Sequence, residues 1–166
     1  MRMMYDSVNP AAIPGRTAAA YVNGEFAWSR SEEARFGALV RISVMPGMPE
    51  AAKAARVLDV ERYDATVDDI EPFVKARQAL GHRDATIYIG LNALLQFAEA
   101  NPAIALNLVD RYWVAWWWGR PGFPRLDEVA AQLQDRVPAD RIWACQFQHT
   151  ADWDESVIYG RQDFSR

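Results

Sequence analysis

The sequence predicts an α/β fold: a compact, partly degenerate (β/α) TIM-like barrel with reduced outer helices. Two observations carry this. Short apolar runs alternate with helical or loop segments, as a mainly parallel sheet requires. The runs amount to about eight strands against about three well-marked helices, so several crossovers must be abbreviated.

The first strand covers Met3 to Asp6 and stops at Ser7-Val8-Asn9-Pro10. The second, Ala18 to Val22, stops at Asn23-Gly24, and the third, Ala38 to Met45, at Pro46-Gly47. Strand four is Arg56 to Glu61. A helix follows over Ile70 to Leu80; Thr66 and Asp69 both suit its cap, and Pro72 favours a late start because proline belongs in a first turn. Strand five is Thr86 to Ile89, and a helical stretch from Leu91 to Glu99 breaks at Asn101-Pro102. Strand six is Tyr112 to Trp117. Leu126, Val129, Ala130, Leu133 and Val137 share one face of the next helix, with Asp127 and Glu128 in its first turn. Strand seven is Arg141 to Phe147, and a short strand, Ser156 to Tyr159, closes the series. No repeat or linker divides the chain, which reads as a single barrel domain over 1–166.

Composition bounds the chemistry. Of 166 residues, 51% are hydrophobic and 24% charged, which is a globular balance. The net charge of −4 comes with no basic block, so nucleic acid is not an expected partner. The seven tryptophans fit either a large core or a stacking surface for flat ligands such as sugar rings. Cys145 is the single cysteine and reads as a packed core thiol. With only His82 and His149 beside it, there is no zinc-type spacing, and neither metal nor cofactor is expected. The N-terminus is too short and too quickly polar for a signal peptide, and no apolar stretch reaches membrane-spanning length. The expectation is a monomer made in the cytoplasm, with no membrane partner.

The most informative segment is Asp59-Val60-Glu61. Residues two apart on a strand share a face, so two carboxylates would emerge side by side at the carboxyl end of strand four. Like charges held that close raise at least one pKa, and a protonated acid beside an ionised one is glycosidase equipment. Acids recur elsewhere at the same end of the barrel: Tyr5-Asp6 closes strand one, and the last connection carries Asp152 and Asp154. Between them lie Tyr88 on strand five, Trp113, Ala115 and Trp117 on one face of strand six, and Gln146 and Gln148 on strand seven. Acids interleaved with aromatics and amides suit a carbohydrate site. Each also has an ordinary reading, as strand aromatic, buried-backbone partner or turn former.

In this order the motifs resemble the family 25 glycoside hydrolases, the muramidase lysozymes of phage endolysins and bacteria, and the glycoside-hydrolase-like domains related to them. The pieces are Asp6, Val57-Leu58-Asp59-Val60-Glu61, Ile87-Tyr88, Tyr112-Trp113-Val114-Ala115, Gln146-Phe147 and Asp154. The resemblance implies a flattened barrel that cleaves peptidoglycan between N-acetylmuramic acid and N-acetylglucosamine. By position, Glu61 would be the general acid/base and Asp59 would stabilise charge developing at the sugar. Asp6 and Asp154 would be supporting acids, with Asp152 left as an alternative to Asp154. Tyr88, Trp117, Gln146 and Tyr5 would meet the sugar. Such a protein would act on the cell wall once released, as an endolysin does. The rival reading is a non-catalytic wall-glycan-binding module on the same barrel. An enzyme acting on phosphorylated metabolites would need a glycine-rich phosphate loop, which Gly160 alone does not supply.

Overall fold

The computed structural model of the chain describes residues 1–160. Eight strands close into a barrel in sequence order: β1 (Arg2–Asp6), β2 (Thr17–Tyr21), β3 (Ala38–Ser43), β4 (Val57–Val60), β5 (Thr86–Gly90), β6 (Arg111–Ala115), β7 (Ile142–His149) and β8 (Asp154–Ile158). β1 to β7 pair in parallel, whereas β8 is antiparallel to both β7 and β1. The cause is the connection. Only residues 150–153 separate β7 from β8, and so short a turn reverses the chain but cannot carry it back for a parallel crossover. The expected barrel is present, and its last strand makes the sheet mixed.

Five α-helices lie in the connections: α1 (Arg30–Glu33), α2 (Glu50–Ala54), α3 (Ile70–Ala79), α4 (Leu91–Ala100) and α5 (Leu126–Leu133). The last three are the helices that the apolar periodicity predicts. α1 and α2 are single turns in the short loops after β2 and β3, and α1 forms because Ser29 and Glu32 make a reciprocal capping box. Both start signals before α3 are used. Thr66 caps a 3₁₀ turn, Val67–Asp69, that runs straight into the helix. β6 is shorter than expected: regular pairing ends at Ala115, although the Trp116 and Trp118 N–H groups still donate to the Gln146 and Phe147 carbonyls of β7 at 2.8 and 3.3 Å, and Gly119, with φ +66°, turns the chain.

Strand alternation sorts the core into two layers. Met4, Ala19, Val40, Ile42, Val57, Tyr88, Trp113, Ala115, Ala144 and Ile158 fill the barrel interior. Leu58, Ile87, Ile89, Val114 and Cys145 point outward, against Phe73, Val74, Leu94, Phe97 and Leu133 of the helices. Cys145 is the packed thiol expected of it, and burial pushes its pKa up to about 12. Trp113 is the interior plug. Its ring meets Tyr88 edge-on at 4.9 Å and Trp143 at 6.2 Å between centroids, and its indole N–H donates to Ser156 Oγ at 3.0 Å. Small Ala19, Ala115 and Ala144 make room for it, the large-against-small packing that narrow barrels need. Trp113 is therefore packing and not a sugar platform. Among the described residues, no helix is long and apolar enough to cross a membrane.

Because Trp113 fills the barrel, Trp113→Ala is expected to cost roughly 3–5 kcal/mol in denaturant unfolding. A loss below about 1 kcal/mol would mean that the interior collapses around the gap and that the plug is dispensable.

Candidate active site

The same alternation that places Met4 inside places Asp6, two residues on, inside at the carboxyl end of β1. Asp154, the first residue of β8, lies directly opposite it in the antiparallel ladder. This differs from the sequence reading, which left Asp154 in a loop. Asp59 follows Val57 on the inner face of β4 and sits in register with Tyr88 of β5. Gln146 on β7 is in register with Ala115 and Ser156, and its side-chain oxygen accepts a hydrogen bond from the Tyr88 hydroxyl. All of these lie at one end, the carboxyl mouth of the parallel strands, where barrel enzymes carry their chemistry.

Glu61 reaches the group by a different route from the one expected. β4 ends at Val60, so Glu61 is not on the strand but in the bend after it. The bend folds back on itself: Asp64 N–H donates to the Glu61 carbonyl at 3.2 Å, and Ala65 bridges to Val60. One carboxylate oxygen each from Asp59, Glu61 and Asp64 consequently lies within 4.8 Å of the other two. Three oxygens at this spacing could ligate a hard divalent cation, and they could equally share protons.

A burial gradient runs through the acids. Asp6 and Asp59 are 5% and 4% exposed, and Oδ1 of each is buried without a hydrogen-bond partner. Asp64 and Asp154 are half-buried, and Glu61 is exposed at the mouth. Burial is the main cause that raises the Asp6 pKa to about 8, with the charges of Asp154 and Glu61 adding to it. Burial likewise lifts Asp59 well above the carboxylate range, followed by repulsion from Glu61, Asp64 and Asp6. Glu61 is raised too. Although the residue as a whole is exposed, protein around its carboxyl displaces water; a hydrogen bond with Tyr88 opposes the rise, and Asp64 and Asp154 add to it. One phenolic proton cannot serve Gln146 and Glu61 at once. Tyr88 donates to Gln146 while Glu61 is protonated and can turn its proton to the Glu61 carboxylate once that group ionises, which ties the state of Glu61 to a buried amide.

At the rim, His149 Nδ1 lies 2.5 Å from Asp154 Oδ1, and the Trp117 ring, 58% exposed, stands edge-on to His149 at 6.3 Å. Tyr21, at the end of β2, faces the acids; burial and their charges keep it a neutral phenol. With Asp59, Glu61 and Asp64 it lines a cleft of about 440 Å³.

The structure thus brings together Asp6, Asp59, Glu61, Asp154, Tyr88 and Gln146, with Trp117 on the rim. Tyr5 is placed elsewhere. It is one residue out of phase with Met4 and Asp6, so it faces outward and packs with Ile13, Ala18, Ala20 and Trp28. Its ring lies so close over Gly15 that a Cβ there would sit 2.5 Å away. Asp152 is exposed in the β7–β8 turn, where its carbonyl accepts from Ser7 Oγ at 2.6 Å, so Asp154 is the cleft acid of the two. Sequence reasoning missed Tyr21 and Asp64. The strand-end rule that found Asp6 would have found Tyr21. Asp64 has no such signal, because its position depends on the turn at Tyr63, a non-glycine residue with φ +81°.

No family model matches the chain, and no curated protein matches it in sequence. Among solved structures, the fold is similar to that of a bacterial lysozyme from Streptomyces coelicolor, with a TM-score of 0.50 over 95% of this chain and 92% of that one. Identity is 16%, so the likeness is one of fold.

Asp6 holds its proton to higher pH when folded than when unfolded, so folding takes up a proton between the two pKa values. Its contribution is complete below the unfolded value near 3.8 and is lost as pH rises toward about 8. The expected slope is about 1.4 kcal/mol per pH unit for one such group. Asp6→Asn is expected to flatten this slope and raise the melting temperature at pH 8 relative to the parent protein. An unchanged slope would show that Asp6 is ionised in the folded state.

Proposed function

We propose that the protein is a peptidoglycan-cleaving glycosidase of the muramidase type, hydrolysing the bond between N-acetylmuramic acid and N-acetylglucosamine, as a monomer acting on the bacterial wall. The observation that carries this reading is the cluster itself. An exposed carboxylic acid with a raised pKa, Glu61, stands over buried acids at the mouth of a barrel whose fold is similar to that of a bacterial lysozyme. Acids buried against one another destabilise a fold, and such arrangements are kept where chemistry needs them.

Protonated Glu61 gives its proton to the glycosidic oxygen as the bond to the sugar carbon breaks. The carbonyl oxygen of the substrate's acetamido group forms the new bond to that carbon, while Asp59 accepts the acetamido N–H and balances the positive charge. Water then opens this intermediate, giving up a proton to the Glu61 carboxylate and restoring the starting acid. Retention of configuration follows. One oxygen each of Asp59 and Glu61 lie within 4.8 Å of each other, closer than the roughly 6.5–9.5 Å that separates the carboxyl groups of an inverting pair. Asp154 lies opposite Asp6 beside this pair, and Tyr88, held by Gln146, can donate to the Glu61 carboxylate once its proton has left.

A second reading has one observation in its favour. If Asp6 and Asp59 both stay protonated at neutral pH, the cleft binds sugar hydroxyls but lacks the charge that turnover needs, and the protein is a wall-glycan-binding module.

Glu61→Gln is expected to lower the appearance of reducing ends from purified peptidoglycan by about 100- to 10,000-fold with an unchanged melting temperature. Full residual activity would remove Glu61 from its role, and a parent protein that binds walls without releasing reducing ends would establish the module. The alkaline limb of the rate profile is expected above the pH at which an ordinary glutamic acid titrates. Because the Asp64 charge helps raise Glu61, Asp64→Asn is expected to move that limb to lower pH. A limb that stays in place would show that Asp64 does not act on the proton donor.

A further inference from the structure

The cleft has a second component that the acids do not explain. Four exposed apolar side chains line it, one from each of four successive loops: Val8 after β1, Phe26 after β2, Met45 after β3 and Tyr63 after β4. Apolar side chains scattered singly over a surface need no explanation. Here four loops put them around the same opening, beside Asp59 and Glu61. Phe26 is 51% and Met45 53% exposed, and Tyr63 is 88% exposed.

The wall is built to hold this shape. Asn23 clamps the ends of β2 and β3 by donating to Ser43 Oγ at 2.7 Å and accepting from Val44 N–H at 3.0 Å. Gly24, with φ +81°, lets the loop that carries Phe26 lie against Val44, where a Cβ would come within 2.6 Å of the valine side chain. Tyr63 itself occupies the left-handed region at φ +81°, which a bulky residue adopts only when its surroundings impose it. The imposed turn presents the ring to solvent at the lip of the cleft, where Arg62 covers one part of it at 4.8 Å.

The lining specifies the ligand's chemistry. Its ionisable groups besides the two tyrosines are Glu25, Asp59, Glu61 and Asp64, all carboxyls, so the lining offers an anion no cation to pair with. A ligand that fits has apolar C–H faces for Phe26, Met45 and Tyr63 and neutral N–H or O–H donors for the acids. A neutral acylamino sugar has both. The muramyl residue of a wall strand, with its anionic lactyl arm or the peptide attached to it, does not. We infer that the cleft wall formed by Val8, Phe26, Met45 and Tyr63 is a subsite for a neutral N-acetylhexosamine, which seats the N-acetylglucosamine unit on the β2–β4 side of Glu61 and directs the muramyl unit toward Trp117 and His149. This inference rests on the glycan reading of the cleft.

The test uses a soluble tetramer of N-acetylglucosamine and calorimetric titration of the full chain. The double variant Phe26→Ala/Tyr63→Ala, both side chains being exposed, is expected to keep its melting temperature and to bind the tetramer about tenfold more weakly, the loss of two aromatic contacts. Equal affinity in the double variant, or no binding by the parent protein, overturns the inference. Wall cleavage by the parent protein is measured in parallel. Cleavage with equal tetramer affinity sinks the subsite and leaves the glycosidase standing. Weakened tetramer binding without cleavage sustains the subsite and sinks the glycosidase.

Discussion

The filling of the barrel interior is the constraint on which the rest depends. Eight short strands enclose a narrow space, and Trp113, Tyr88 and Trp143 occupy most of it against alanines and valines. Once these rings close the floor, the next inward position on each strand can only be the mouth. Asp6, Asp59 and Gln146 are one alternation step above Met4, Val57 and Ala144 on their own strands. Packing below and chemistry above are thus two consequences of one period-two pattern. Tyr88 belongs to both: its ring packs on Trp113 while its hydroxyl engages Gln146 and Glu61.

Against this gain stands an electrostatic cost. Asp6 and Asp154 are directly opposite in a ladder, where like charges destabilise, and Asp59 is buried beside Glu61 and Asp64. Among the described residues the groups that face the acids are phenols, an amide and the rim imidazole of His149, so the strain is relieved there by holding protons. Retained protons are what a general acid requires, so the cost and the proposed activity have the same origin.

Much of this was legible in the sequence because it follows from local rules. The run ending at Asp59, the apolar period of α5 and the isolated Cys145 each report their environment through their neighbours. Three features were not. The antiparallel β8 follows from a turn of only four residues, and the strand signal there began late, so Asp154 was left in a loop although it starts the strand. Glu61 was read as a strand residue, yet it reaches Asp59 through a bend that depends on Tyr63 adopting a conformation its side chain disfavours. Tyr5 was set beside Asp6 by proximity in sequence, although one step along a strand reverses the face.

The proton-holding cleft can be observed directly by carbon NMR titration of the aspartate and glutamate carboxyls, assigned by single substitutions. Convergence of buried acids predicts a midpoint for Asp6 near 8 and midpoints for Asp59 and Glu61 above those of ordinary carboxylates. If all three titrate near pH 4, as solvated side chains do, the acids are neither buried nor close enough to act on one another, and the cleft described here is not the one the protein forms.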